Sequence, residues 1–217
     1  MWHLDGKYGN KDALRDRLML SKDYKPLIAY VGRLDGQKGV HLIQHALFYA
    51  LHNGAQFVLL GSSPEPSISN HFHHLKGQLN DSPDCHLELG FSEQLAHLIY
   101  AGTDIMVVPS VYEPCGLTQM VALRYGAVPA VRAVGGLVDT VIDRDNAHHV
   151  PVEDRNGYVF DHADFAGLES ALHRAIDLWY AFPRDFRRLM TNGMAYDFSW
   201  AQSGGHYLGI YDHIRAK

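Results

Sequence analysis

The chain has 217 residues, of which 47% are hydrophobic and 11% aromatic, so it is long enough to bury the core of one α/β domain. Its 24 acidic and 19 basic residues give a formal net charge of -5, which excludes the general positive field that drives binding to nucleic acids or acidic membranes. The two cysteines are too few for a disulfide framework and favour a reducing compartment.

The opening of the chain is polar and charged, with a short helical pattern in Leu14, Leu18 and Leu20. We expect residues 1–25 to form a lead-in or interlobe linker rather than part of the core. Residues 1–7 lack the basic and then apolar pattern of a signal peptide, and no apolar run approaches the length of a membrane span. We therefore expect a protein that is soluble throughout, with the cytoplasm as its default compartment.

From residue 26 onward, predicted strands and helices alternate. Short apolar runs indicate buried strands, and amphipathic stretches between them indicate helices. The predicted strands are 27–31, 56–60, 86–89, 105–108 and 127–131, and the predicted helices are 40–51, 68–79, 92–101, one just after residue 113, 165–180, 184–195 and 201–214. This alternation implies right-handed crossovers and a parallel sheet with helices on both faces. We expect residues 26–217 to form one α/β, Rossmann-like domain.

An acidic segment, Glu113–Gln119, directly follows a predicted strand, and ligands bind at this end of the strands in open α/β sheets. Gly116 and Thr118 indicate a helix N-terminus, whose free backbone N–H groups favour an anion. We expect the Glu113 carboxylate to hold the hydroxyls of a sugar beside that anion. The alternative is that Glu113 only caps the helix, because acids are favoured at that end of the helix dipole.

A glycine-bounded loop, Gly32–Gly39, follows the first predicted strand and carries Arg33 and Lys38 on either side of Gly36. Both cations could reach one pyrophosphate, the arginine as a planar fork and the lysine as a mobile point charge. The alternative is a solvated basic loop. The spacing matches neither the Walker pattern nor the GxGxxG pattern of dinucleotide-binding proteins.

Two weaker features also follow predicted strands. Gly135, Gly136 and Leu137 suggest a strand-to-helix turn whose backbone can approach a ligand closely. Phe91, at the end of the third predicted strand, is either a ring that stacks on a nucleobase or a core residue. Neither feature by itself shows whether its residues contact a ligand.

Three histidines, His71, His73 and His74, are close enough in sequence to suggest a metal site. No coherent set of carboxylate or cysteine partners accompanies them. We therefore interpret them as a solvated helix face.

Three motifs occur in order, each at a predicted strand end: GRLDGQKG at 32–39, VPSVYEPCGLTQ at 108–119 and VGGLVDTV at 134–141. Together they resemble the glycogen and starch synthases, retaining glucosyltransferases of the GT-B fold. The chain looks most like the cyanobacterial type related to plant starch synthases III and IV, and the resemblance extends from about Lys25 to Tyr211. It implies that the domain is the nucleotide-sugar-binding, C-terminal half of such an enzyme, ending in the helix that crosses back to the other lobe.

The resemblance implies a reaction and roles for individual residues. Glucose would pass from ADP-glucose to the non-reducing 4-hydroxyl of an α-1,4-glucan, with retention at the anomeric carbon and without a metal or other cofactor. The donor diphosphate is assigned to Arg33 and Lys38 and the transferred glucose to Glu113. The other implied substrate-binding residues are Phe91 against the adenine, Cys115, Gly116, Leu117 and Thr118 at the phosphate and sugar, and Gly135, Gly136 and Leu137 in the donor pocket.

The sequence departs from that family pattern in two ways. The N-terminal lobe, with its Lys-x-Gly-Gly-Leu loop and catalytic-site His, has no counterpart here, so we expect the glucan to bind mainly through that lobe and the chain by itself to be inactive. Position 121 is Val, where the wider retaining group often has a second Glu, which leaves the ribose contacts unassigned.

Two other functions stay open. One is a non-catalytic module that binds a nucleotide or a partner, and the other is a retaining GT-B enzyme that uses a UDP-sugar. The resemblance implies the cytoplasm as the compartment in a bacterium, or the plastid stroma in a plant or alga.

Overall fold

Six parallel strands form the centre of the computed structural model, which describes residues 4–215 of the chain. The strands are β1 Leu27–Arg33, β2 Gln56–Ser62, β3 Cys85–Leu89, β4 Ile105–Val108, β5 Val128–Arg132 and β6 Tyr158–Phe160. They lie in the order β3-β2-β1-β4-β5-β6, so the order reverses between β1 and β4. At such a reversal a crevice opens beyond the carboxyl ends of the strands, and doubly wound folds bind their ligands there.

Helices cover both faces of this sheet, which confirms the predicted fold class. They are α1 Asp5–Leu18, α2 Val40–His52, α3 Pro66–Leu79, α4 Glu93–Gly102, α5 Thr118–Arg124, α6 Gly136–Thr140, α7 Phe165–Ala181, α8 Pro183–Ala195 and α9 Trp200–Arg215, with a short 3-10 turn at Val152–Asp154. α2, α3, α7 and α8 pack on one face, and α1, α4, α5 and α6 on the other. Within residues 4–215, no helix is both long and apolar enough to cross a membrane.

The sequence of strand β1 is a continuous apolar run because both faces of the strand are buried. Ile28 and Tyr30 belong to the core on one face, whereas Leu27 and Ala29 belong to the core on the other. Because successive side chains of a strand point to opposite faces, a strand covered on both sides needs an apolar residue at each position. The five predicted strands are confirmed. β6 has three residues and was not predicted, because so short a run carries no periodicity.

Helix α1 is part of the core, so the expectation of a polar lead-in outside the core is wrong for the described residues 4–25. Leu14 is fully buried, and Leu18 and Leu20 are 6% exposed. All three belong to the core that α1 shares with α4 and α5. Residues 1–3 lie outside the described residues, and the assignment of 1–25 as an interlobe linker stays a prediction.

Three cations also lie on the buried face of α1. Because charged residues usually indicate an exposed face, the sequence did not indicate that this face is buried. Lys7 Nζ donates to three backbone carbonyls at the carboxyl ends of α4 and α5, at 3.0 to 3.4 Å. Lys11 Nζ lies 2.6 Å from Asp104 Oδ2, and Arg15 Nε donates to Gln56 Oε1 at 2.8 Å. Charges are buried only when they are paired or hydrogen-bonded, and these contacts offset part of the loss of water. Burial lowers the pKa of Lys7 to about 7.

Helix α9 extends away from both cores. None of its described residues is buried. Its exposed side chains include several large apolar ones: Trp200, Tyr207, Leu208, Ile210, Tyr211 and Ile214. Within residues 4–215, α9 contributes no side chain to either core.

Candidate functional site

A lysine and a glutamate meet at the crevice between β1 and β4. The β1–α2 loop brings Lys38 and the β4–α5 loop brings Glu113, and Lys38 Nζ donates a hydrogen bond to Glu113 Oε2. The two side chains are 21% and 9% exposed. The contact exists because β1 and β4 are neighbours in the sheet, although 75 residues separate the pair in sequence. The sequence predicted both residues as site residues but not their pairing.

The two oxygens of the Glu113 carboxylate differ in their partners. Ser110 Oγ donates to Oε2 at 3.0 Å, so Oε2 has two donors, Lys38 and Ser110. Among the hydrogen bonds of residues 4–215, none ends on Oε1. An ionised carboxylate oxygen is a hydrogen-bond acceptor, so Oε1 is available to a ligand hydroxyl.

The loop that carries Glu113 is held from two sides. On one side, the backbone N–H groups of Val111 and Tyr112 donate to the carbonyl oxygen of Gln37, at 2.9 and 3.2 Å. On the other side, Arg132 Nε donates to the carbonyl oxygen of Ser110 at 2.8 Å. Gln37, Ser110 and Arg132 were not predicted as site residues. Gln37 lies inside the motif at 32–39 and Ser110 inside the motif at 108–119. No other feature of the sequence indicated these two residues.

The glycine pair packs against the acidic loop. Gly136 N donates to the carbonyl oxygens of Glu113 and Pro114, at 3.3 and 3.2 Å. The side chain of Leu137 is fully buried and belongs to the core. The close approach that the sequence predicted is therefore an approach to the acidic loop. The Leu137 side chain does not face an open pocket, and only its backbone could line one. A role for Gly135, Gly136 and Leu137 in donor binding stays a prediction.

The N-terminus of α5 lies next to Glu113. Gly116 turns the chain with a φ of +78°, and Thr118 is the first residue of α5. The backbone N–H groups that precede the first intrahelical bond of a helix are its unsatisfied donors. Cys115 is exposed, and the 68% exposed side chain of Leu117 lines a cavity of about 380 Å³ between α5 and residues 196–199. The predicted anion contacts of this segment remain predictions.

Arg33 and Phe91 also lie at the carboxyl ends of strands, at the same edge of the sheet. Arg33 ends β1, its side chain is 59% exposed, and its Nη1 lies 2.8 Å from Asp35 Oδ2. Phe91 follows β3 and is 91% exposed, so the alternative that it belongs to the core is wrong. β3 lies two strands from β1, a separation of about 10 Å at the usual strand spacing. A nucleotide is long enough to span that distance.

No group of three or more His, Cys, Asp and Glu side chains within the described residues could hold a metal ion. His71, His73 and His74 are exposed on α3, which confirms the solvated helix face. The expectation of no cofactor stays a prediction.

The sequence of the chain is similar to a known protein family and to curated proteins. Residues 13–187 match the family of glycosyl transferases group 1. The chain is 60% identical over 214 residues to glycogen synthase 2 of Methylococcus capsulatus, covering 99% of this chain and 44% of that protein. It is 62% identical over 214 residues to glycogen synthase 1 of Synechococcus sp. (strain JA-2-3B'a(2-13)), with the same coverage of 99% and 44%. The chain thus spans about 44% of the length of these curated relatives.

The chain also superposes on solved structures of similar sequence. The catalytic domain of starch synthase IV from Arabidopsis thaliana, bound to ADP and acarbose, superposes with a TM-score of 0.94 at 42% identity, covering 99% of this chain and 44% of that one. Sucrose-phosphate synthase from Thermosynechococcus elongatus superposes with a TM-score of 0.67 at 26% identity, covering 94% of this chain and 49% of that one.

Proposed function

Because the chain belongs to the group 1 family of glycosyl transferases, we propose that it forms the donor-binding, C-terminal lobe of a glycogen or starch synthase. The resemblance inferred from the three sequence motifs is confirmed. The proposed reaction moves glucose from ADP-glucose to the non-reducing 4-hydroxyl of an α-1,4-glucan, with retention at the anomeric carbon. The ADP in the similar starch synthase structure supports a nucleotide as ligand of this lobe.

The observation that carries this proposal is the pairing of Lys38 with Glu113 in the crevice between β1 and β4. A lysine ammonium has three donors, so Lys38 keeps two for phosphate oxygens while it contacts Glu113. Glu113 Oε1 is free to accept from a glucose hydroxyl. The pair therefore joins a phosphate contact and a sugar contact at one point, as the junction of a nucleotide sugar requires.

The chemistry follows from where charge develops. As the bond between glucose and the diphosphate breaks, negative charge grows on the phosphate oxygens, so cations there stabilise the transition state more than the ground state. We propose that Lys38 contacts these oxygens, and the exposed guanidinium of Arg33 lies on the same loop. Glu113 holds the sugar in position for attack, which lowers the entropic part of the barrier. We propose that no metal ion takes part.

We propose that the acceptor binds through a second lobe, which closes over the donor. The exposed apolar side chains of α9 support this, because monomeric proteins rarely leave large apolar patches uncovered. Two free cysteines, Cys85 buried and Cys115 exposed, support a reducing compartment, and we propose the cytoplasm of a bacterium, or the plastid stroma in a plant or alga.

Calorimetric titration of ADP, ADP-glucose and UDP-glucose into the chain tests the proposal. Each charge-assisted contact contributes about 1.5 to 3 kcal/mol, so Lys38→Ala and Arg33→Ala should each weaken ADP-glucose binding about 10- to 100-fold. Lys22→Ala is the control, because Lys22 forms an exposed ion pair with Asp16 outside the crevice.

The outcomes separate the candidate functions. A folded wild-type chain that binds neither ADP nor ADP-glucose at millimolar concentration would refute the proposal. Tighter binding of UDP-glucose than of ADP-glucose would favour the UDP-sugar alternative. Donor binding without glucan extension, even after addition of a separately produced N-terminal lobe of a glycogen synthase, would favour the non-catalytic module.

A further inference from the structure

Arg132 ends β5 and points its guanidinium at the loop that carries Glu113. Nε donates to the carbonyl oxygen of Ser110 at 2.8 Å, and Nη2 donates to that of Val111 at 2.5 Å. Nη1 lies 3.5 Å from the carbonyl oxygen of Asp161, beyond β6. None of the salt bridges among residues 4–215 includes Arg132. Its hydrogen bonds therefore go to backbone carbonyls, and what they fix is the position of residues 110–111.

Ser110 passes this constraint to the carboxylate. Its carbonyl accepts from Arg132, and its hydroxyl donates to Glu113 Oε2 at 3.0 Å. Ser110 is 1% exposed, so water does not compete for these bonds in the folded protein. A displacement of the Ser110 backbone would move Oγ away from Oε2. The Glu113 side chain would then lose one of the two contacts that orient it.

The loop needs such external contacts because it has no regular structure of its own. Residues 109–117 are neither helix nor strand. Opposite Arg132, the loop is tied by the Val111 and Tyr112 amides to Gln37. Arg132 thus completes a two-sided clamp, with one side from the β1–α2 loop and the other from the end of β5.

We propose that Arg132 is a positioning residue that, through Ser110, sets the orientation of Glu113 toward the glucosyl group of the donor. This inference rests on the proposed function. It assigns Arg132 no contact with the substrate. Its effect should therefore fall on the glucose part of donor recognition and leave the nucleotide part unchanged.

The test compares ADP with ADP-glucose by calorimetry, using the affinity ratio as the readout. Glu113→Ala first sets how much the carboxylate contributes to that ratio. Arg132→Gln should shift the ratio in the same direction by about 10-fold, the size of one lost charge-assisted contact, with ADP affinity within about two-fold of wild type. Ser110→Ala should shift it in the same direction.

A matched control exists in Arg155, which is also half-buried and also donates only to backbone carbonyls. Its Nε and Nη1 donate to Val150 and Arg144 carbonyls at 2.9 and 2.8 Å, in a loop that does not carry Glu113. Arg155→Gln removes the same kind of bond and should leave the ratio unchanged. Arg132→Lys serves if the glutamine variant fails to fold, because it keeps the charge but replaces the planar fork of three nitrogen donors with a single nitrogen.

A double-mutant cycle decides whether Arg132 acts through Glu113. In a Glu113→Ala background, Arg132→Gln should not change ADP-glucose affinity further, because the group that it positions is gone. The inference is overturned if the arginine variants leave the ratio unchanged, lower both affinities equally, or have full effect without Glu113. It is also overturned if Glu113→Ala leaves the ratio unchanged. A wild-type chain that binds neither nucleotide refutes the proposed function instead.

Discussion

Gly135 lies so close to Glu113 that no side chain fits between them. A Cβ atom at Gly135 would be 1.9 Å from the carbonyl oxygen of Glu113, and the glycine has a φ of +49°. The acidic loop and the turn before α6 therefore share one tightly packed junction. The glycine motif and the acidic motif, 22 positions apart, form one structural unit.

The first prediction is that Gly135→Ala destabilises the protein by about 2 kcal/mol or more, since an overpacked contact and a strained φ add together. The clash is with backbone, which cannot rotate away. Chemical denaturation in urea measures the loss in the free energy of unfolding. Donor affinity should fall with it, because the loop that moves carries Glu113.

Gly204→Ala is the control for that substitution. Gly204 lies within α9 and a Cβ atom there would meet nothing within 4 Å. Alanine is favoured over glycine in a helix by about 0.5 to 1 kcal/mol, so stability should stay equal or rise. Equal effects of the two substitutions would contradict the packing argument.

The second prediction concerns Lys7 and pH. Burial lowers the pKa of Lys7 from the usual 10.5 to about 7. Between these values the unfolded chain binds more protons than the folded one, so the contribution of Lys7 to stability rises with pH from about 7 toward 10.5. The slope is at most about 1.4 kcal/mol per pH unit.

Lys7→Met removes this titration while keeping an unbranched side chain. Urea unfolding of both proteins from about pH 6 to 9 should show a gap, wild type minus variant, that grows in favour of wild type as pH rises above about 7. A gap that does not change with pH would mean that Lys7 stays charged in the folded protein. Its three carbonyl contacts would then stabilise the ammonium fully.

The third prediction concerns Phe91. Its ring is 91% exposed, so Phe91→Ala should change the free energy of unfolding by less than about 0.5 kcal/mol. Stacking of a base on an aromatic ring contributes about 1 to 3 kcal/mol, so ADP affinity should fall about 5- to 100-fold. Calorimetry with ADP measures this loss.

Phe182→Ala is the matched control, because Phe182 is 60% exposed and lies between α7 and α8, away from the crevice. Its substitution should leave ADP affinity unchanged. If Phe91→Ala also leaves ADP affinity unchanged, Phe91 does not contact the nucleobase.

Much of the fold could be read from local pattern. Runs such as 27–31 and 105–108 are apolar at each position because both faces of the sheet are covered, and loops that contain glycine follow them. Helix α1 was misread because Lys7, Lys11 and Arg15 occupy its buried face. Their partners lie at distant points of the chain, and a polar residue in a helix pattern shows no sign of such partners.

The candidate site divides in the same way. Sequence by itself determined that Lys38 and Glu113 follow strands, because that depends on residues close by in the chain. Only the tertiary structure decided that they pair, that Ser110 and Arg132 hold the acidic loop, and that Leu137 is buried. These contacts arise where β1, β4 and β5 lie side by side, and the order of strands is set by the packing of the whole sheet rather than by any local pattern.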